Sequence, residues 1–209
     1  MSLFSMGPSY SPRWLVKHYP CGDLGTGTVV DVGGSKGEYA IAILQQYPNL
    51  RVIVQDLPDV VEKPRSSTPT ELTDIVSFMA HDFFTDQPIR DAGVYLKRWV
   101  LHDWSDTHAI RILRALIPAL KKGARIGLHE CIVSEPGETL TLWDRQVLEN
   151  CRNRFMVYDI AMHALTNGKE REANDWKALF AGADTRFRVL SIEIPPMSSL
   201  GIIVVNWDG

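Results

Sequence analysis

Long apolar runs are missing from this sequence of 209 residues. No stretch approaches the roughly 18 uncharged apolar residues that a membrane-spanning helix needs, so neither a span nor a membrane partner is expected. A basic surplus is missing as well: 22 Lys and Arg stand against 25 Asp and Glu, a formal charge of -3. A dedicated nucleic-acid binder carries excess positive charge on one face, so no nucleic-acid partner is expected. Cysteine is sparse. Cys21, Cys131 and Cys151 are too few and too far apart for a disulfide framework or a zinc site. The opening MSLFSMGPSYSP lacks a basic segment followed by an apolar core, so no secretory signal is visible and a cytoplasmic location is expected. Internal repeats and low-complexity tracts are also lacking.

What remains is an ordinary globular composition, 45% hydrophobic and 22% charged, at a length that suits one domain. Residues 1–27, rich in Pro, Gly, Ser and Tyr, read as an irregular lead-in, and 28–209 as the domain proper. Thr28 to Val32 is a β-branched run stopped by Gly33-Gly34, the pattern of a buried strand entering a turn. From Ser35 to Tyr47 the residues Ala40, Ile41, Leu44 and Tyr47 share a helical face, and Pro48 ends it. Further strands are expected at 51–56, 75–80, 92–100 and 124–130, with a helix from Thr107 to Lys122 stopped by Gly123. Pro118 is expected to kink or tighten that helix's last turn. A long helical region is read at about 140–165, a shorter helix at 175–180, and a closing strand pair at 186–194 and 200–207.

Strands alternating with helices imply an α/β sheet whose ligands sit at the carboxyl ends of the strands. The polar motifs fall at such ends. Asp31-Val32-Gly33-Gly34-Ser35-Lys36-Gly37 follows the first strand, where glycines let the backbone turn tightly and approach a ligand. Asp56, ending the second strand, can accept from two ribose hydroxyls. A dinucleotide fold shares this layout, but the glycines read G-G-x-x-G rather than G-x-G-x-x-G, and an acidic residue just before them suits an ammonium better than a pyrophosphate. His81-Asp82-Phe83-Phe84 follows the third strand. There Asp82 can accept a purine amine and Phe83 can lie on its face, although a capping aspartate beside two core phenylalanines explains the same letters. Next comes Tyr95-Leu96-Lys97-Arg98-Trp99-Val100-Leu101-His102-Asp103-Trp104-Ser105-Asp106. A His-Asp pair ahead of Ser105 can simply start a helix. His129-Glu130-Cys131 are consecutive and do not make an HExxH pair, so no metal is expected. His108, His129 and His163 read as structural.

Taken together, VVDVGGSKG, VQDLPDVV, HDFF, LHDWSD, HECIVSEPGE and GKER resemble the catalytic domain of S-adenosylmethionine-dependent O-methyltransferases of the caffeic acid O-methyltransferase-like class. Fungal members acting on aromatic secondary metabolites are the nearest in pattern. The resemblance implies a Rossmann-like methyltransferase fold, a mostly parallel seven-stranded sheet with helices on both faces and a C-terminal antiparallel strand. It implies methyl transfer from S-adenosylmethionine to a hydroxyl of a small aromatic molecule, with S-adenosylhomocysteine as product and no metal. By the same resemblance Gly33, with Gly34 and Gly37, borders the methionyl part of the cofactor and Asp31 sits near its amino group. Asp56 holds the ribose, Asp82 and Phe83 lie at the adenine, Leu57 is a further cofactor-binding residue, and Arg98 helps fix the cofactor. His102 matches the general base, Glu130 and Glu170 the acidic residues flanking it, and Asp103 a residue that orients substrate. Met162 is the candidate substrate-pocket residue.

The chain departs from the family pattern in two places. The family carries an N-terminal helical domain that dimerises and closes the pocket; only about 28 residues precede the first strand here, so that domain is expected to be absent and homodimerisation stays open. The family's GKERT-x-x-E becomes Gly168-Lys169-Glu170-Arg171-Glu172-Ala173-Asn174-Asp175, which replaces a threonine capping box with Glu172 and Asp175. The alternative reading is a truncated or diverged relative that binds the cofactor without methylating. A nicotinamide-dependent dehydrogenase is a further alternative, opposed by the glycine spacing and Asp31.

Overall fold

The computed structural model describes residues 7–62, 76–133 and 168–209. The helical region expected at 140–165, with Met162 and His163, lies outside the described residues. Nine strands are described: β1 (Thr28–Val32), β2 (Arg51–Asp56), β3 (Val76–Ala80), β4 (Val94–Arg98), β5 (Arg125–Glu130), β6 (Ile132–Val133), β7 (Arg171–Glu172), β8 (Phe187–Glu193) and β9 (Gly201–Trp207). Among them run helices α1 (Arg13–His18), α2 (Glu38–Gln46), α3 (Pro58–Val61), α4 (Asp106–Leu116) and α5 (Ala173–Ala183).

Seven strands form one sheet in the order β3-β2-β1-β4-β5-β9-β8. All neighbours run parallel except at β9, which pairs antiparallel with both β5 and β8. The expected fold class is therefore observed, including the single reversed strand near the C-terminus. Both faces of the sheet are covered, which is why its central strands are near-continuous apolar runs rather than alternating ones. Tyr95 of β4 and Leu128 of β5 pack with Leu113 of α4 and Trp176 and Phe180 of α5. Val94 and Leu96 of β4 face the other way, packing with Leu15 of α1 and Ile43 and Leu44 of α2. The strand order reverses direction between β1 and β4, and the crevice above such a switch point is where α/β sheets hold ligands.

Two local expectations are corrected, and one pairing is new. The lead-in is not irregular throughout: α1 lies in it, flanked by 3-10 turns at Pro8–Tyr10 and Cys21–Leu24. A helix this short is marginal in water; burial of Leu15, Val16 and Tyr19 against the sheet holds it, as does a hydrogen bond from Tyr47 Oη to the Val16 carbonyl at 3.3 Å. Bracketing prolines at 12 and 20 made the same residues look like turn material. The helix expected to reach Lys122 stops at Leu116, and Pro118 sits in a 3-10 turn at Ile117–Ala119. Finally, β6 and β7 pair parallel as a small second sheet, Ile132 opposite Arg171 and Val133 opposite Glu172. Two-residue strands carry no periodicity, so nothing in the letters announces them. Their effect is large, because they bring GKER beside HEC.

The altered capping sequence still caps. Glu172 is the N-cap of α5 and forms a reciprocal box with Asp175, whose Oδ2 accepts the Glu172 N–H at 3.3 Å. A carboxylate can accept an amide N–H as a threonine hydroxyl does, and it also faces the positive end of the helix dipole.

Candidate active site

The glycine turn after β1 is built by close approach. The Gly33 and Gly34 N–H groups both donate to the Gln55 carbonyl, at 2.7 and 3.1 Å, which ties the turn to β2. Gly33 has φ 80, and a Cβ there would lie 2.8 Å from Val100 Cγ2. A Cβ on Gly34 would lie 2.5 Å from Asp31 Oδ2. The turn thus passes directly over the Asp31 carboxylate, and only glycine permits that. Gly37 closes the turn ahead of α2. Asp56 stands at the end of β2 with Oδ2 accepting the Ser35 N–H at 2.9 Å and Oδ1 the Leu57 N–H at 2.8 Å. Each oxygen keeps a lone pair for a further donor. Leu57 is 52% exposed, an apolar side chain left open on the rim.

At the end of β3, Asp82 Oδ1 accepts the Phe84 N–H at 2.9 Å, so it does cap a turn. Its residue is exposed, and the second oxygen remains available to a ligand. Phe83 packs edge-on against Trp104, with centroids 6.1 Å apart.

β4 divides its two basic residues between the faces of the sheet. Lys97 is fully buried on the α4 side, with Nζ 5.8 Å from the Phe83 ring centre. Burial pushes its pKa down to about 7, against the pull of Asp31 and Glu130. Arg98 lies on the α2 side, its guanidinium 4.8 Å from the Tyr39 ring centre and 4.6 Å from that of Trp99. Asp31 is buried on that same side, and burial lifts its carboxyl to about 7 although the Arg98 charge opposes the rise.

His102 sits in a 3-10 turn just past β4 and is 6% exposed. Its Nδ1 lies 3.0 Å from Glu170 Oε1, and Asp103 Oδ1 is 3.4 Å from its Nε2. Burial alone would lower the imidazole pKa; the Glu170 hydrogen bond and the charges of Glu130, Glu170 and Asp103 outweigh it and raise the value to about 9. With Nδ1 engaged by a carboxylate, the neutral ring carries its proton there and presents Nε2 as the basic atom. Glu130 works on the backbone beneath. Its Oε1 accepts the Val100 and Leu101 N–H groups, both at 3.0 Å, and burial raises its pKa to about 7.

The structure thus gathers His102, Asp103, Glu130 and Glu170 at the end of β4 and β5, and places Asp31, the glycines, Asp56, Asp82, Phe83 and Arg98 along the ends of β1 to β4. Two contributors escaped the sequence reading. Arg171, fully buried, donates to the carbonyls of Leu101 at 2.9 Å and Trp104 at 2.8 Å, and to Asp106 at 2.9 Å, while lying over the Trp176 ring at 5.1 Å. The Lys169 N–H adds a bond to the His102 carbonyl at 3.0 Å. These contacts clamp the His102 turn to the segment that carries Glu170. The only available signal was that Arg171 belongs to the GKER block. The other is Trp99, whose φ of 50 is left-handed and strained for an aromatic residue. Its ring stacks on His102, with centroids 5.8 Å apart and planes inclined by 23°.

Among the described residues, several buried polar atoms at this end of the sheet have no hydrogen-bond partner: Asp31 Oδ2, Lys97 Nζ, Arg98 Nε, His102 Nε2 and Glu130 Oε2. Such atoms are nearly always paired in folded proteins, and their concentration here sets this end of the sheet apart. Among the described residues no group of three or more His, Cys, Asp or Glu could hold a metal ion, and no helix is long and apolar enough to cross a membrane.

The fold and this crevice define a methyltransferase-type α/β domain, and comparison with known proteins narrows the class. A family model described as an O-methyltransferase domain matches residues 22–186; the chain belongs to that family. It is 43% identical over 210 aligned residues to the grayanic acid biosynthesis cluster O-methyltransferase of Cladonia grayi, covering 100% of this chain and 45% of that protein. The chain therefore spans less than half the length of that relative. Among solved structures it resembles an O-methyltransferase from neocarzinostatin biosynthesis, in complex with S-adenosylmethionine and 2-hydroxy-5-methyl naphthoic acid, at 26% identity and TM-score 0.78, covering 99% of this chain and 56% of that one. It also resembles a pericyclic reaction enzyme at 26% identity and TM-score 0.70, covering 92% of this chain and 46% of the other.

Proposed function

We propose that this chain is the catalytic part of an O-methyltransferase that moves a methyl group from S-adenosylmethionine to a hydroxyl of a small aromatic molecule. The observation that carries the reading is His102: buried, tied through Nδ1 to Glu170, with Nε2 making no hydrogen bond among the described residues and Asp103 Oδ1 standing 3.4 Å from it.

The residues fit the cofactor. Asp31 Oδ2 and Arg98 Nε offer an unpaired acceptor beside an unpaired donor, which suits an ammonium and a carboxylate and opposes a pyrophosphate. Asp56 keeps lone pairs for ribose hydroxyls, Leu57 and Phe83 offer apolar faces for the base, and Asp82 an acceptor for its amine. Bound there, S-adenosylmethionine supplies an electrophilic methyl carbon on a sulfonium.

The chain's own task is to deprotonate and aim the acceptor. A phenol titrates at about 10, so an imidazole raised toward that value is well matched to accept its proton. Nε2 takes the proton, and Glu170 stabilises the resulting imidazolium through Nδ1. Glu130 holds the turn that aims the ring, and Asp103 stands at the Nε2 edge, where it can orient the incoming hydroxyl. General-base assistance of this kind contributes about 10²–10⁴-fold. The decisive experiment pairs calorimetric titration with S-adenosylhomocysteine and a methyl-transfer assay on a panel of phenols. Binding with transfer supports the reading, and absence of both from the folded chain defeats it.

A second reading follows from the resemblance to a pericyclic reaction enzyme: a relative that binds the cofactor and catalyses something other than methylation. Retention of His102 with Glu170 favours transfer. Cofactor binding without transfer to any phenol would favour the second reading.

A further inference from the structure

We propose that His129, which reads from sequence as structural, is a binding residue for the carboxylate of the cofactor's amino-acid end. This rests on the S-adenosylmethionine reading above and adds a contact to it.

The register puts three polar side chains on one face at the carboxyl end of three adjacent strands. Arg98 of β4 stands opposite His129 of β5, and Asp31 of β1 opposite Leu96, two residues before Arg98. Leu96, like Val29 two residues before Asp31, packs in the α1–α2 core, which identifies the face. The row therefore reads Asp31, Arg98, His129 across strands spaced about 4.8 Å apart.

His129 is 0% exposed. Its Nδ1 lies 2.9 Å from the Tyr39 hydroxyl. Burial, reinforced by the Arg98 charge, pushes its pKa down to about 3, so the ring is neutral. Burial likewise raises the Tyr39 pKa, so the phenol keeps its proton; Nδ1 at 2.9 Å is the nearer acceptor, the Tyr10 carbonyl lying 3.4 Å away. A neutral imidazole that accepts at Nδ1 carries its hydrogen on Nε2. Among the described residues that Nε2 has no hydrogen-bond partner, and neither does Arg98 Nε on the neighbouring strand or Asp31 Oδ2 beyond it. The row thus offers one buried acceptor followed by two buried donors. A free α-amino acid group has the complementary order, an ammonium and then a carboxylate with two oxygens. A phosphate would satisfy the donors but face the Asp31 carboxylate. Nothing within the domain's packing needs His129 Nε2 left open, whereas a carboxylate shared between it and Arg98 pairs both.

The test compares two ligands that differ only in this end: S-adenosylhomocysteine, and methylthioadenosine, which keeps the nucleoside and sulfur but lacks the amino acid. His129→Leu is expected to weaken S-adenosylhomocysteine about ten- to hundredfold, the usual worth of a hydrogen bond to a charged group. Methylthioadenosine affinity should stay within about twofold. His129→Gln, which restores an N–H near the Nε2 position, should recover most of the loss. In the unaltered chain, the nitrogen-15 and proton signals of His129 Nε2–H should move on adding S-adenosylhomocysteine and stay put with methylthioadenosine, a readout that needs no variant to fold. Equal weakening of both ligands, unchanged S-adenosylhomocysteine binding in His129→Leu, or an unmoved Nε2–H signal would each overturn the proposal. Failure of the unaltered chain to bind S-adenosylhomocysteine at all would instead remove the cofactor reading on which it stands.

Discussion

The two halves of the crevice are assembled differently. Along β1, β2 and β3, each polar residue sits near the end of its own strand and is held by backbone N–H groups of its own turn or the adjacent strand's: Asp56 by Ser35 and Leu57, Asp82 by Phe84. Around His102, by contrast, the groups come from segments far apart in the chain. Glu130 ends β5, Glu170 precedes β7, and Arg171 reaches back to the Leu101 and Trp104 carbonyls. The first half rests on a separate backbone anchor at each strand end. The second half behaves as one unit, since moving any segment changes the distance from His102 to its carboxylate.

That contrast is open to direct attack. The largest effect is expected at His102. His102→Ala should lower kcat on a phenolic acceptor by about 10²–10⁴-fold, with S-adenosylhomocysteine affinity held within about threefold by calorimetry. A loss of cofactor binding of similar size would erase the separation between the halves. Next comes the clamp. Arg171→Lys keeps the charge but cannot bridge two carbonyls and a carboxylate in one plane. It should cost about 10–100-fold in kcat through misplacement of His102, with cofactor affinity again unchanged.

A smaller change tests the electrostatics. His102 titrates near 9 in the free site, so kcat/KM should rise with pH through the neutral range and level off above that value. Glu170→Gln removes a hydrogen-bonded charge that holds the proton on, so the midpoint should fall toward the ordinary imidazole value of about 6.5. A midpoint that stays near its original position would show that Glu170 does not set the titration.

The smallest effect belongs to the cofactor half and concerns stability. Burial raises the Asp31 carboxyl from its ordinary range to about 7. As pH climbs from near 4 to 7 the unfolded chain ionises first, so the folded state loses stability through that window. Asp31→Asn cannot ionise. Without ligand its melting temperature should exceed that of the unaltered chain at pH 8, and the difference should vanish by pH 4. With S-adenosylhomocysteine present the order should reverse, because the asparagine has no charge for the ammonium. Persistence of the ligand-free difference at pH 4 would point to packing instead.

Much of the cofactor half was legible in the sequence because it is local. A β-branched run, a glycine turn and an acidic residue at the next strand's end are short patterns whose meaning does not depend on distant residues. The seven strand segments and the tightening at Pro118 follow from similar signals, whereas the reversed strand was implied by the family resemblance. The family block LHDWSD pointed to His102, and GKER to Glu170. The two-residue strands β6 and β7, the clamp by Arg171, the strained stacking of Trp99 on His102 and the helix within residues 7–27 were not legible. Most owe their conformation to a partner many residues away, Trp99 stacks on a ring only three residues on, and none repeats with a period long enough to read.

By itself the sequence determined the layered α/β architecture, since apolar patterning and turn residues specify which segments become strands and helices. It also determined the chemical types available at each strand end. Only the tertiary structure decided which of those types meet. Parallel register set Arg98 opposite His129, pairing of β6 with β7 carried Glu170 to His102 so that carboxylates raise its pKa against burial, and burial on two covered faces raised Asp31 and Glu130 while lowering Lys97. The physical reason is that strand formation depends on near neighbours along the chain. Proton affinity and hydrogen-bond geometry depend on neighbours in space, and packing alone supplies those.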